Sequence, residues 1–96
     1  MTLSEKIQEV LDLVDGGPWH WADLDLLLIY LDDGGYEYDK EDIPAIMEEL
    51  DKKAYHHIVR VKEVNRMGVA KIKSFHVWAT RPEITTETIK KEYLEL

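Results

Sequence analysis

Apolar residues recur at helical spacing in the first half of the chain. Leu3, Ile7, Val10, Leu11 and Val14 recur at the spacing of one helix face, which predicts an amphipathic helix that begins at a Thr2 to Glu5 capping box. The stretch Gly16-Gly17-Pro18 ends that helix. A second helix is predicted from Trp19 to Leu31, and its apolar residues cover most of its sides, as expected for a central helix.

Two further helices follow from the same spacing. The third is predicted to begin between Asp39 and Asp42 and tolerates Pro44 because that residue is close to its first turn. After Pro82, Thr85 or Thr86 is predicted to cap a last helix that runs to about Leu94. The buried positions expected in the third helix are apolar: Ile43, Ile46, Met47 and Leu50.

Between the third and last helices, apolar and polar residues alternate, which predicts a long antiparallel β-hairpin over residues 55–80. Its flanks read HHIVRVKEV and VAKIKSFHVWA, and Asn65-Arg66-Met67-Gly68 is a turn sequence. A loop of two or four residues pairs Val64 with Val69. Four cations then share the solvent face, Arg60, Lys62, Lys71 and Lys73, while the opposite face carries Val59, Val61, Ile72, Trp78, His57 and His76.

The charged residues separate into an acidic N-terminal segment and a basic segment that contains the predicted hairpin. Residues 1–51 hold two lysines and fifteen acidic residues, whereas residues 52–81 hold eight Lys or Arg and one glutamate. The net charge of the chain is −8. Charges more than about 8 Å apart are largely screened at physiological salt, so the basic segment can act locally in an acidic protein.

Length and composition narrow the class of protein. We expect residues 1–96 to form a single domain, and the absence of cysteine removes disulfides and thiolate chemistry. The longest apolar run, Leu26 to Leu31, is too short to cross a bilayer, so we expect no membrane association and a cytoplasmic location. No nucleophile, phosphate-loop or metal-ligand motif is present, and we therefore expect a binding protein without a cofactor rather than an enzyme.

Three helices followed directly by a long hairpin is the order of the winged helix-turn-helix family. The segment from Asp39 to Val61, DKEDIPAIMEELDKKAYHHIVRV, resembles that family's recognition helix leading into the first wing strand. The resemblance implies an α+β fold of three helices, a hairpin wing and a C-terminal helix. Two features depart from the family pattern: the link from Asp32 to Asp39 is long, and the third helix is rich in Asp and Glu.

The resemblance implies a DNA-binding transcriptional regulator. Because the third helix is acidic, we expect contacts with the DNA backbone through the basic wing. The predicted contact residues are Arg60, Lys62, Arg66, Lys71 and Lys73, with Lys52, Lys53 and Arg81 beside them. The resemblance also implies a homodimer through the C-terminal helix, which offers Ile89, Tyr93 and Leu96.

An alternative is an acidic protein-interaction module, such as a virus- or plasmid-encoded inhibitor or adaptor. Carboxylates can bind a basic surface of a nucleic-acid-handling protein, and opposite charges in two parts of a chain can also drive self-association. The candidate protein-binding residues are Asp23, Asp25, Asp32, Asp33, Asp39, Glu41 and Asp42.

Overall fold

The protein is an α+β domain of four helices and a three-stranded antiparallel sheet. A computed structural model describes all 96 residues. The helices are α1 (Leu3–Asp15), α2 (Leu24–Asp33), α3 (Ile43–Lys53) and α4 (Thr86–Leu94), and the strands are β1 (Trp21–Asp23), β2 (Tyr55–Val64) and β3 (Ala70–Ala79). A 3₁₀ turn at Lys40–Asp42 precedes α3. None of the helices has the length and apolar character needed to span a membrane.

The sheet separates two hydrophobic cores. Its strand order is β1-β3-β2, so β3 is the central strand. On one side, α1, α2 and α3 pack around a core that includes Trp78, and on the other side α4 packs through Ile89. A sheet residue and its immediate neighbour in sequence point to opposite faces, so adjacent residues of β3, such as Val77 and Trp78, enter different cores.

Trp78 ties the sheet to the helices. Its side chain is completely buried, and its indole N–H donates to Asp51 Oδ1 on α3 at 2.8 Å. The ring also stacks on His56 of β2, with centroids 4.6 Å apart and planes within 6° of parallel. One side chain of the central strand therefore contacts both the last turn of α3 and the strand that follows it.

Several helix boundaries agree with the sequence. The Thr2 and Glu5 capping box is present at the start of α1, and Thr85 caps α4 by accepting from the backbone N–H of Thr88. The 3₁₀ turn begins at Lys40, within the range predicted for the third helix, and α3 itself begins at Ile43, one residue beyond that range, with Pro44 in its first turn. These starts were predictable because each depends on a few adjacent residues.

The predicted helix from Trp19 to Leu31 is wrong in its first five residues. Trp21–Asp23 forms β1, which pairs with β3, and α2 begins only at Leu24. Asp23 has an extended backbone, and its carboxylate accepts from the N–H of Leu26 at 2.9 Å, which makes it the N-cap of α2. The apolar spacing of Trp21 fits a helix and a buried strand equally well, and strand pairing determines the outcome.

The predicted register of the hairpin is wrong by one residue. Val64 pairs with Ala70, Lys62 with Ile72 and Arg60 with Ser74, around a loop of five residues, Asn65 to Val69. The Asn65 side chain accepts hydrogen bonds from the N–H groups of Met67 and Val69, at 2.9 and 3.0 Å. Gly68 has φ of +79°, which glycine adopts readily, so this longer loop forms without strain.

A loop of five residues, compared with the predicted two or four, turns each side chain of β3 to the opposite face of the sheet relative to β2. Arg60 and Lys62 therefore lie on one face, and Lys71 and Lys73 lie on the other. Ile72 is exposed on the face of Arg60, although it was predicted to point inward. Trp78 is buried as predicted, but it lies on the face opposite to Val59 and Val61. The single face of four cations expected from the sequence is thus not formed.

We predict that Ile89 is essential for the packing of α4. Replacing Ile89 with Ala should lower the free energy of unfolding by about 2–5 kcal/mol, because the side chain is fully buried against the hairpin. The matched control on the same helix is Leu94→Ala, which should change it by less than about 0.5 kcal/mol because Leu94 is exposed. Chemical denaturation measures both, and equal losses would contradict the packing described.

Candidate nucleic-acid interface

Five of the predicted DNA-binding cations lie in the loop of the hairpin and in the half of each strand nearest to it. Arg60 and Lys62 occupy the face that also carries Trp78, Lys71 and Lys73 occupy the face covered nearer its base by α4, and Arg66 lies in the loop. All five side chains are exposed, and none lies within ion-pair distance of a carboxylate. The hairpin therefore carries net positive charge on both faces, although Lys71 pairs with Glu63 across the strands and Lys73 shares a cleft with Asp23 and Asp25.

The other three predicted cations are in different surroundings. Arg81 is bound to Asp15, with Nε 3.0 Å from Oδ1, and Lys52 lies 3.8 and 3.7 Å from the carboxylates of Glu48 and Glu49. Lys53 is half-buried and lines a polar cleft with Asp12 and Asp15 among others. Each of the three is thus close to at least one carboxylate, and the structure does not place them beside the hairpin tip.

Asp15 joins the end of α1 to the end of β3. Its carboxylate accepts from the Thr80 hydroxyl at 2.8 Å and from Arg81. These two hydrogen bonds lower the pKa of Asp15 below its ordinary value of 3.8. The role of Arg81 that the structure shows is therefore to fix the chain after β3.

The seven carboxylates proposed for protein binding are distributed along two elements. Asp23 caps α2 and Asp25 lies in its first turn, while Asp32 and Asp33 end the same helix. The remaining three surround the 3₁₀ turn, where the N–H of Asp39 donates to Asp42 at 2.8 Å. Asp25 and Asp33 are eight residues apart, or about 12 Å along a helix. The seven therefore do not form one compact cluster.

Asp23 and Asp25 lie close to one of the basic residues of the hairpin. They line a cleft of about 240 Å³ together with Lys73, Ser74, His76 and Tyr93. The cleft follows the edge of β3 where β1 has already ended, since β1 pairs only with Val77 to Ala79. The structure thus brings two of the predicted acidic residues and one predicted cation to a single cleft.

His76, His56 and Asp51 are linked by side-chain contacts that were not predicted from the sequence. His56 Nε2 lies 2.8 Å from His76 Nδ1, and His56 Nδ1 lies 3.5 Å from Asp51 Oδ1. The predicted register grouped His57 with His76 instead, and the structure places those two on opposite faces of the sheet. The one-residue change of register explains the difference. No group of three His, Asp or Glu side chains is arranged to hold a metal ion.

His57 is placed against α4. Its Nδ1 lies 2.7 Å from the Thr86 hydroxyl at the start of that helix. Partial burial lowers the pKa of His57 below its ordinary value of 6.5, and the neighbouring charge of His56 lowers it further. The neutral imidazole is therefore the form that fits beside α4.

Comparisons with known proteins give no further indication of function. No family model, curated protein or solved structure matches this chain.

We predict that the protein loses stability as the pH falls through and below 6.5. Because the pKa of His57 is lowered in the folded state, the unfolded chain binds the proton first. The stabilisation from the neutral imidazole is complete above pH 6.5 and is lost as the pH falls towards the lowered pKa. Urea unfolding at pH 7.5 and 5.5 measures the loss, which should be smaller in His57→Gln.

The control for this measurement is His20→Gln. His20 contacts Asp15 on another part of the surface. The difference in unfolding free energy between pH 7.5 and 5.5 should therefore be larger in His20→Gln than in His57→Gln. An identical pH dependence in the wild type and in His57→Gln would contradict the prediction.

Proposed function

We propose that the protein is a winged helix-turn-helix domain that binds double-stranded DNA through its hairpin and regulates transcription. The observation that carries this proposal is the net positive charge on both faces and in the loop of the hairpin, where no cation is in an ion pair. In support, three helices precede the hairpin in the chain, as in that family. The first 51 residues contain most of the acidic residues, so the positive region is confined to one end.

A hairpin with cations on both faces suits a groove with two charged walls. The major groove of B-DNA is about 12 Å wide and admits a two-stranded β-ribbon. A ribbon in that groove can place Arg60 and Lys62 towards one sugar-phosphate backbone and Lys71 and Lys73 towards the other. This arrangement differs from the single basic face predicted from the sequence, but all four strand cations can still contact phosphates.

The third helix does not favour base recognition. Its exposed residues include Glu48 and Asp51, and the nearby Lys52 lies within 4 Å of two carboxylates. Carboxylates approach a phosphate-lined groove at an electrostatic cost. We therefore propose that binding depends on backbone contacts, which position a protein on DNA but do not specify a sequence.

We predict a steep salt dependence. Five hairpin cations imply a slope of log K against log salt of about −4.5, or about 500-fold weaker binding at 200 mM than at 50 mM salt. Removing one pair of cations should make the slope less negative by about 2. The two double variants are Arg60→Ala with Lys62→Ala, and Lys71→Ala with Lys73→Ala. Fluorescence anisotropy with a labelled random duplex measures all three slopes.

The matched control removes the same charge from α4, by Lys90→Ala with Lys91→Ala, and should leave the slope within about 0.5 of the wild type. Absence of wild-type binding at 50 mM salt would overturn the proposal. A slope that does not respond to either hairpin pair would overturn the assignment of the hairpin as the contact surface.

An acidic protein-interaction module remains the second candidate, and the exposed side of α2 favours it. Leu26 and Ile29 are exposed there, and Asp25, Asp32 and Asp33 lie one turn from Ile29 on the same side of the helix. Exposed apolar side chains rimmed by charges are typical of protein-binding surfaces.

A further inference from the structure

Two exposed surfaces of this chain are complementary in charge and similar in apolar character. The outer face of α2 consists of Asp25, Leu26, Ile29, Asp32 and Asp33. The open face of the hairpin consists of Ile58, Arg60, Lys62, Val64 and Ile72. Each surface combines large apolar side chains with charges of a single sign, negative on α2 and positive on the hairpin.

Both surfaces carry large apolar side chains that are exposed to solvent. Ile29 is 55% exposed, and beside it Leu13, Trp19 and Leu26 border an apolar groove of about 190 Å³ between the end of α1 and α2. On the hairpin, Ile58 is 52% and Ile72 70% exposed. These apolar side chains are flanked by charges of one sign on each surface, an arrangement that suits surfaces covered in an assembly.

We propose that these two faces bind each other in a closed dimer of this chain, with the hairpin of each copy lying on α2 of its partner. The inference rests on the second candidate function, that the outer face of α2 is a protein-docking surface, and it identifies the partner as a second copy. A two-fold axis makes the contact reciprocal, so both charged faces of both copies are covered.

The observations favour this contact over a dimer through α4. Ile89 is fully buried against its own hairpin and Tyr93 packs in the same cluster, so these two residues of α4 are already used within the chain. Only Leu94 on that helix and Leu96 just after it remain as exposed large apolar residues. By contrast, Arg60 and Lys62 have no ion-pair partner within the chain and can bind Asp32 and Asp33 of the other copy.

One consequence links the dimer to DNA binding. Arg60 and Lys62 belong to the open face of the hairpin, so a copy whose hairpin lies on α2 of its partner cannot present them to phosphates. Lys71 and Lys73 on the other face stay accessible. Self-association and full engagement of DNA are therefore competing states of the same hairpin.

Charge-reversal variants of the open face of the hairpin and of the outer face of α2 test the proposal. The hairpin variant is Arg60→Glu with Lys62→Glu, and the α2 variant is Asp32→Lys with Asp33→Lys, which adds cations at a helix C-terminus and so favours the helix. In sedimentation equilibrium at low salt without DNA, the wild type should dimerise, and each variant alone should dissociate about tenfold more readily. An equimolar mixture should regain wild-type association, because both reciprocal contacts are then complementary.

Matched charge reversals on α4, Lys90→Glu with Lys91→Glu and Glu87→Lys with Glu95→Lys, control for net charge and should dimerise as the wild type does. Circular dichroism confirms that each variant is folded. A monomeric wild type, a dimer unaffected by the hairpin and α2 variants, or a mixture that stays monomeric would each overturn the proposal. So would open-ended polymers, which indicate a head-to-tail contact instead of a closed one. Failure of the dimer would remove only the competition with DNA, because the anisotropy measurement tests DNA binding itself.

Discussion

The pairing register of the hairpin is the constraint on which the rest of the structure depends. It directs Val59, Val61 and Val77 towards α4 and directs Trp78 towards the helices on the other side. A shift of one residue in either strand would exchange these sets and leave both cores without their main side chains. The Asn65 turn stabilises the loop length that this register requires, and the Trp78 contacts with Asp51 and His56 hold the same register at the base of the hairpin.

The same register determines which charged side chains lie on each face of the hairpin. With a five-residue loop, the cations of β2 and β3 lie on opposite faces, and no two of them are directly paired across the strands. This relieves the repulsion that the predicted register would have imposed between like charges. Lys71 instead faces Glu63 across the sheet, and Arg60 faces Ser74. The hairpin can therefore carry five cations in its loop and in the adjoining halves of its strands at a smaller electrostatic cost, and each face offers charge to a different partner.

The sequence predicted local features well and pairing poorly. The helix N-caps Thr2 and Thr85, and the existence of the hairpin, follow from residues that are adjacent in the chain. The loop length does not, because Asn65-Arg66-Met67-Gly68 is compatible with two, four or five residues. Strand β1 was missed because Trp21 fits the apolar spacing of the helix that follows it. The contact of His56 with His76, the exposure of Ile72 and the binding of Arg81 by Asp15 all depend on tertiary pairing, which spacing alone does not determine.

The division of the apolar side chains into two cores has a consequence for how the molecule opens. The helical core contains ten buried residues, whereas the core beneath α4 contains six, of which only Ile89 belongs to that helix. A helix of nine residues does not persist in water without tertiary contacts. We therefore expect detachment of α4 to be a sub-global opening of lower free energy than complete unfolding, with amide hydrogens of α4 exchanging before those of α1 or α3. In that open state the valines of the hairpin are exposed to water while the three N-terminal helices remain folded.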